Sequence, residues 1–156
     1  MFLIRKAERP DAEAAFDIRL QAIQHQCSAV YTNAQVEAWT SVPLTDNYRS
    51  WVEKDYQLAC FEGIPVATGL INLQSAELEA VFVLPTFMGQ GIGKKMVSYL
   101  EHLAMEAGLT EIHLEATLNA ELFYRNCGFE GSAHAVYTSG SGLELACVPM
   151  RKRLAQ

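Results

Sequence analysis

Apolar positions recur every two residues in some stretches of this chain and every three to four in others, and their order predicts a mixed α/β fold. Phe2 to Lys6 reads as a short strand. Pro10-Asp11 then opens a helix with an apolar stripe of Ala14, Ala15, Ile18, Ala22 and Ile23, ending near Cys27-Ser28. Thr32-Asn33-Ala34-Gln35 has N-cap character, Val36 and Trp39 share one face of a second short helix, and Pro43 breaks it. Residues 46–55, with Tyr48, Trp51 and Val52, form a third, weakly periodic piece. Residues 57–61 and 66–73 read as a hairpin turning at Glu62-Gly63. Leu78 to Leu84 follows as a mostly apolar strand, the pattern of burial on both faces. Ile92, Met96, Leu100, Leu103 and Ala107 lie at helical spacing up to Gly108, which suits a helix C′ position. A strand from Glu111 to Ala116 and a helix from Ala120 to Cys127 come next. Two strands, Phe129 to Thr138 and Leu143 to Arg151, close the chain around Ser139-Gly140-Ser141-Gly142. No repeat or linker interrupts this order, so residues 1–156 read as one domain.

Between the Leu78 strand and the Ile92 helix stands Val83-Leu84-Pro85-Thr86-Phe87-Met88-Gly89-Gln90-Gly91-Ile92-Gly93-Lys94-Lys95. Alternate glycines at a helix start leave backbone N–H groups bare, and with the helix dipole they suit a phosphate or pyrophosphate. A P-loop would need glycine at position 88 and a hydroxyl at 95, where Met88 and Lys95 stand. A dinucleotide fingerprint would need glycine where Lys94 stands, and no βαβ unit lies upstream. The loop instead resembles the acetyl-coenzyme A loop of the GNAT superfamily of N-acetyltransferases, Gln/Arg-x-x-Gly-x-Gly/Ala, mapped here onto Met88-x-x-Gly91-x-Gly93. Met88 departs from the family's basic or amide residue, which weakens one contact in a site made mainly of backbone N–H groups. Asn119-Ala120-Glu121-Leu122-Phe123-Tyr124-Arg125-Asn126-Cys127-Gly128-Phe129 also resembles the family's Asn-x-x-Ala-x-x-Phe-Tyr-x-x-x-Gly-Phe, with the spacing after Asn119 shortened. The resemblance covers most of the chain and is weakest over residues 10–55. It implies a mostly antiparallel, splayed sheet flanked by helices, opening beside the strand that precedes the glycine loop.

Composition narrows the classes further. A net charge of −6 argues against nucleic acid, whose affinity rests on lysine and arginine. No apolar run approaches the roughly 18 residues of a membrane span, and the apolar stretch at Met1–Ile4 is too short for a signal peptide. Cys27, Cys60, Cys127 and Cys147 lie far apart, the expectation for reduced thiols in a cytoplasmic protein. His25, His102, His113 and His134 form no zinc pattern, so no metal is expected.

The resemblance implies acetyl-coenzyme A as co-substrate and a primary amine of a small molecule or peptide as acceptor, attacking directly in a ternary complex. It also allows a homodimer. The cofactor would be held by Phe82 and Val83 on the strand, by Met88, Gly89, Gln90, Gly91, Ile92, Gly93 and Lys94 on the loop, and by Asn119. Lys94 and Lys95 could instead be solvated first-turn charges, and Asn119 a helix N-cap. Tyr124 resembles the tyrosine that protonates the leaving thiolate, a proton transfer near balance because both groups titrate above neutrality; its other reading is a core aromatic. Among carboxylates, Glu77 and Glu79 share a face with Val81 and Val83 by strand alternation. Glu79 lies about 13 Å up-strand from Val83 at roughly 3.3 Å per residue, near enough for a water-bridged base. Tyr31, Trp39 and Tyr137 are the aromatic candidates for the acceptor pocket, with His25 or His134 as a titratable partner. The rival reading is a coenzyme A-binding or sensing module that transfers nothing.

Overall fold

Seven strands form one sheet in the order β1-β2-β3-β4-β5-β7-β6, in a computed structural model that describes residues 1–155. The strands are β1 (Phe2–Lys6), β2 (Tyr56–Phe61), β3 (Ile64–Asn72), β4 (Glu77–Val83), β5 (Glu111–Thr117), β6 (Ala135–Thr138) and β7 (Glu144–Arg153). All neighbours pair antiparallel except β4 and β5, which run parallel. The expected mixed, mostly antiparallel sheet is therefore the fold. Five helices flank it: α1 (Ala12–Gln26), α2 (Asn33–Thr40), α3 (Asp46–Asp55), α4 (Ile92–Glu106) and α5 (Glu121–Asn126).

Burial explains the layering. The stripe Ile92, Met96, Val97, Leu100 and Ala104 turns α4 onto one face of the sheet, against Ala59, Ala67, Ile112, Leu114 and Val148. Tyr124 of α5 and Phe129 close the same core. On the opposite face α1 buries Ala12, Ala15, Ile18, Ala22 and Ile23, while Ala14 stays half-exposed. Close approach of α4 is possible because Gly69 has no side chain; a Cβ there would lie 2.5 Å from Met96 Sδ. Thr32 and Gln35 form a reciprocal capping box that starts α2 where the local pattern expects it.

The last strands begin later than the pattern predicts. Glu130 to Thr138 is not a continuous strand: Glu130 makes an isolated bridge to Arg151, and β6 occupies only Ala135–Thr138, all exposed. An edge strand exposed on both faces has no buried face to set its register, so its bounds are not readable from the residues alone.

One defect in the sheet matters most. β5 pairs with β7 over seven consecutive residues, whereas β4 and β5 share a single paired position, Glu77 with His113. Beyond it the two parallel strands part. The split opens toward the C-terminal end of β4, where parallel strands joined by a helical crossover place their ligands.

Candidate active site

The split exposes one edge of β4. Leu84 N–H donates to the Val66 carbonyl at 2.9 Å, so ladder alternation turns the N–H and C=O of Val83 and Val81 to the other edge, into the opening. At the end of this edge the chain makes a 3-10 turn, Pro85–Phe87, and enters the glycine loop. Gly89 and Gly91 have φ of 78° and 81°, which only glycine adopts at little cost, and a Cβ on either would meet nothing. Gly91 is the N-cap of α4, and the first helical bond runs from Lys95 N–H to the Gly91 carbonyl at 3.1 Å. The N–H groups of Ile92, Gly93 and Lys94 therefore precede the helical ladder and point along its positive end. Gly93 serves packing: a Cβ there would stand 3.1 Å from Phe123 Cζ of α5. Met88 is half-buried, and its sulfur accepts a hydrogen bond from the Gln26 amide at 3.3 Å. Gln26, at the last turn of α1, thus brings an amide to the place where the loop pattern lacks one. Sequence spacing offers no sign of it, because 62 residues separate the pair.

Lys94 and Lys95 are both exposed, but the Lys95 ammonium sits over the Phe2 ring, 4.9 Å from its centroid, toward β1. Across the opening, the Asn119 side chain has its Oδ1 buried with no partner among the described residues. It does not cap α5, whose N-cap is Ala120 without a side-chain bond. An orphaned amide oxygen beside bare N–H groups and a free strand edge suits a ligand with a diphosphate and an amide-bearing arm, the chemistry of coenzyme A. Tyr124 stands next along α5, buried, edge-on to Phe123 at 5.0 Å and to Phe129 at 5.7 Å. Burial, with a smaller contribution from Cys127, pushes its phenol pKa well above the ordinary range, so it holds its proton at every physiological pH.

The carboxylates require a correction. Glu79 does not share a face with Val81 and Val83. Leu70 pairs with Ala80 but Ile71 pairs with Leu78, so Glu79 is the extra residue of a β-bulge. The bulge shifts the alternation: Leu78, Val81 and Val83 pack on the α4 core, while Phe82 packs with Trp39 on the α1 face. Glu77 pairs with Asn72, one step from the Ile71–Leu78 pair, and so also lies on the α1 face. Glu79 influences Tyr56 and Tyr137. Desolvation first, then the charges of Glu77 and Asp55, raise its pKa.

The three aromatic candidates separate. Tyr31 is a latch: its hydroxyl donates to the Ala146 carbonyl at 2.5 Å and accepts from Leu118 N–H at 3.1 Å, inside a cluster with Ile23, Val36 and Leu145. Trp39 is half-buried and edge-on to Tyr31 at 6.0 Å. Tyr137, on the edge strand β6, is 39% exposed and near Glu115, Glu77, Glu79 and Arg19. Residue patterns single out neither Arg19 nor Tyr56 on this face, because each reads as an ordinary helix-flank or strand-end residue. His25 and His134 are exposed. Among the described residues no group of three or more His, Cys, Asp or Glu is placed to hold a metal ion, and no helix is long and apolar enough to cross a membrane.

An open sheet divided beside a glycine-started helix is the architecture of the GCN5-related N-acetyltransferases. One such protein from Rhodopseudomonas palustris superposes with a TM-score of 0.89 at 23% identity, over 97% of this chain and 95% of its own. The PaiA N-acetyltransferase of Thermoplasma acidophilum, solved in complex with coenzyme A, matches with a TM-score of 0.74 at 17% identity, over 98% and 99%. In sequence the chain is 33% identical over 85 residues to the uncharacterized protein YyaT of Bacillus subtilis (strain 168), covering 53% of this chain and 57% of that protein. The model of the acetyltransferase (GNAT) family matches residues 20–129, from α1 through Phe129, and the chain belongs to that family.

Proposed function

We propose that this acetyltransferase moves the acetyl group of acetyl-coenzyme A to a primary amine of a small molecule or peptide, by direct attack within a ternary complex. One observation supports the reading: the free edge of β4 runs into the bare N–H groups of the loop, and Asn119, just past the end of β5, carries a buried amide oxygen without a partner among the described residues. The bound thioester supplies an activated acyl carbon, so the protein's task is positioning and proton transfer.

In this reading the Ile92, Gly93 and Lys94 amides hold the diphosphate, Asn119 contacts the arm, and the Val83 N–H donates to the acetyl oxygen. Glu79, through a water, takes the proton from the ammonium of the acceptor. The amine nitrogen then bonds to the acyl carbon as the carbon–sulfur bond breaks, Tyr124 gives its proton to the departing sulfur, and the second proton of the amine nitrogen leaves through solvent and restores the Tyr124 phenol. The raised pKa of Tyr124 makes it a weaker acid than a free phenol, so the transfer is less balanced than the residue type alone implies and proceeds only to a fully formed thiolate. The raised pKa of Glu79 brings a carboxylate closer to an amine in basicity, which lessens the uphill part of the transfer.

The test is release of free thiol from acetyl-coenzyme A with a panel of amines, for the parent and for Tyr124→Phe. The variant is expected to turn over about 10²-fold more slowly with coenzyme A affinity unchanged. Equal turnover would remove Tyr124 from the mechanism. A parent that binds coenzyme A yet releases no thiol with any amine would point to a binding module instead.

A further inference from the structure

Lys152 stands on β7 between the core residues Met150 and Leu154, and by strand alternation it shares their face of the sheet, the one that α4 and α5 cover. Its ammonium donates to Glu101 Oε2 of α4 at 2.8 Å and to the Cys127 carbonyl at the end of α5 at 2.7 Å. The same ammonium lies 5.9 Å from the centre of the Phe129 ring. The Lys152 and Glu101 side chains are only 25% and 14% exposed, so this is not a solvent-screened surface pair. An ion pair withdrawn this far from water gives back much of its attraction as lost hydration and adds little to stability; its characteristic use is to fix one arrangement of its elements over others. The lysine stem takes room that a glycine leaves: at Gly128, whose φ is 97°, a Cβ would stand 3.1 Å from Lys152 Cε.

What the pair fixes is α5. Its six residues are too few to hold a helix unaided, and its C-cap Cys127 has a carbonyl beyond the helical ladder, for which Lys152 supplies the donor. Nearer its start, α5 is set against α4 as well: Phe123 fills the space beside Gly93, where a Cβ would stand 3.1 Å from Phe123 Cζ. Gly93, Val97 and Glu101 follow one another at intervals of four along α4 and form one ridge of that helix. The ridge therefore pins α5 twice, through Phe123 at Gly93 and through Lys152 between Glu101 and Cys127. Tyr124 lies between the two pins. Its ring is edge-on to Phe123 at 5.0 Å and to Phe129 at 5.7 Å, and its carbonyl accepts from Phe129 N–H at 3.0 Å.

We propose that Lys152 is a positioning residue: together with Glu101 it fixes the Tyr124 ring relative to the helix that starts at Gly91. Its effect on turnover rests on the reading of Tyr124 as the proton donor to sulfur; its effect on the ring does not. The bare amides stand at the start of α4 and Tyr124 is indexed to the Gly93–Glu101 ridge, so the diphosphate and the donated proton are referred to one rigid element. A phenol that yields its proton only to a formed thiolate has to be in place when that thiolate appears, and a misplacement of about 1 Å costs up to about 10²-fold in rate.

Lys152→Met keeps an unbranched stem and removes the donor. It should lower kcat for thiol release from acetyl-coenzyme A about tenfold, with KM for acetyl-coenzyme A within about twofold of the parent, and Lys152→Arg should recover part of the loss. The loss should vanish in a Tyr124→Phe background, because a residue that acts through Tyr124 then has nothing left to position. Equal loss in both backgrounds is the mark of general loosening and overturns the proposal. Carbon-13 labelling of tyrosine Cζ gives a reading by magnetic resonance that needs no turnover, the Tyr124 signal being the one absent from Tyr124→Phe. Lys152→Met should shift that signal, since the ring moves in the ring-current fields of Phe123 and Phe129, and Lys152→Arg should return it toward the parent position. An unmoved signal overturns the proposal. A shifted signal in Lys152→Met, with Tyr124→Phe as active as the parent, would keep the clamp and sink only Tyr124 as the acid. Glu101→Leu breaks the tie to α4 and leaves the ammonium on the Cys127 carbonyl. It should repeat both effects in smaller measure, and an unmoved Tyr124 signal there overturns the proposal even if Lys152→Met does not fold.

Discussion

Tyr31→Phe keeps a ring and removes one oxygen, and that oxygen makes two hydrogen bonds. It donates to the Ala146 carbonyl of β7 at 2.5 Å and accepts from Leu118 N–H at the end of β5 at 3.1 Å. Each bond contributes about 1 kcal/mol net, and stranding a part-buried N–H at Leu118 adds about another 1 kcal/mol. The Ala146 carbonyl is half-buried and recovers some hydration. The expected loss is about 2–3 kcal/mol, and at about 3 °C per kcal/mol for a chain of this length Tm should fall by about 6–9 °C. Thermal unfolding followed by circular dichroism measures it, with urea unfolding at constant slope as the check that only stability has changed. The loosened latch should also raise the KM of the acceptor, because the Tyr31 ring supports Trp39, while coenzyme A affinity stays as it was. An unchanged Tm together with a raised acceptor KM would refute the reasoning, since the hydroxyl would then be facing substrate and not the Ala146 and Leu118 backbone.

Glu79→Gln should lower kcat/KM by about 10²-fold and remove the acidic limb of its pH profile. In the parent that limb should lie above the pH of an ordinary glutamate, because a raised pKa keeps the proton-accepting form scarce until higher pH; superimposable profiles would exclude Glu79 as the base. Gly91→Ala meets no atom but must hold φ near 81°, so it should cost about 1–2 kcal/mol of stability. It should also weaken coenzyme A binding about tenfold, by standing in front of the bare amides; calorimetry showing unchanged affinity would move the diphosphate elsewhere. Gly69→Ala drives a methyl to 2.5 Å from Met96 Sδ and 3.1 Å from Leu100 Cδ1 and should destabilise by about 1–3 kcal/mol. Coenzyme A affinity should hold in that variant, and a stability within error of the parent would show that α4 can retreat.

What the residues alone disclose, and what they hide, divides by distance along the chain. The glycine loop was legible because its requirement is local: positive φ at two positions and a helix start follow from Gly89, Gly91 and Gly93 within five residues. The order of helices and strands was legible for the same reason. Tyr31 was not, since its partners lie 87 and 115 residues away and its neighbours in sequence look like any pocket rim. Arg19 was hidden differently. A charged residue flanking an apolar stripe is the ordinary solvated helix face, and only the packing of α2 alongside α1 half-buries it and gives its guanidinium the Trp39 carbonyl as partner. Asn119 lay between, its type and position readable, but whether it caps α5 is set by the backbone, which makes Ala120 the N-cap and leaves the Asn119 oxygen without a partner among the described residues.

The bulge at Glu79 shows how one irregularity serves both the core and the chemistry. Leu78, Val81 and Val83 are apolar at a spacing of three and then two, which no regular strand can turn to one face. A straight β4 would send either Leu78 away from the α4 core or Val81 and Val83 toward α1, and would set a carboxylate among Met96, Leu100 and Ile112. Burying one unpaired carboxylate costs more than the hydrogen bonds a bulge gives up. The extra residue therefore goes where the carboxylate is, and all three apolar side chains reach the core. The same insertion puts Glu79 on the α1 face, near Tyr56 and Tyr137. The spacing of apolar positions along β4 was thus itself the sign of the bulge, and the face on which a base can stand follows from the core's demand for Leu78, Val81 and Val83 together.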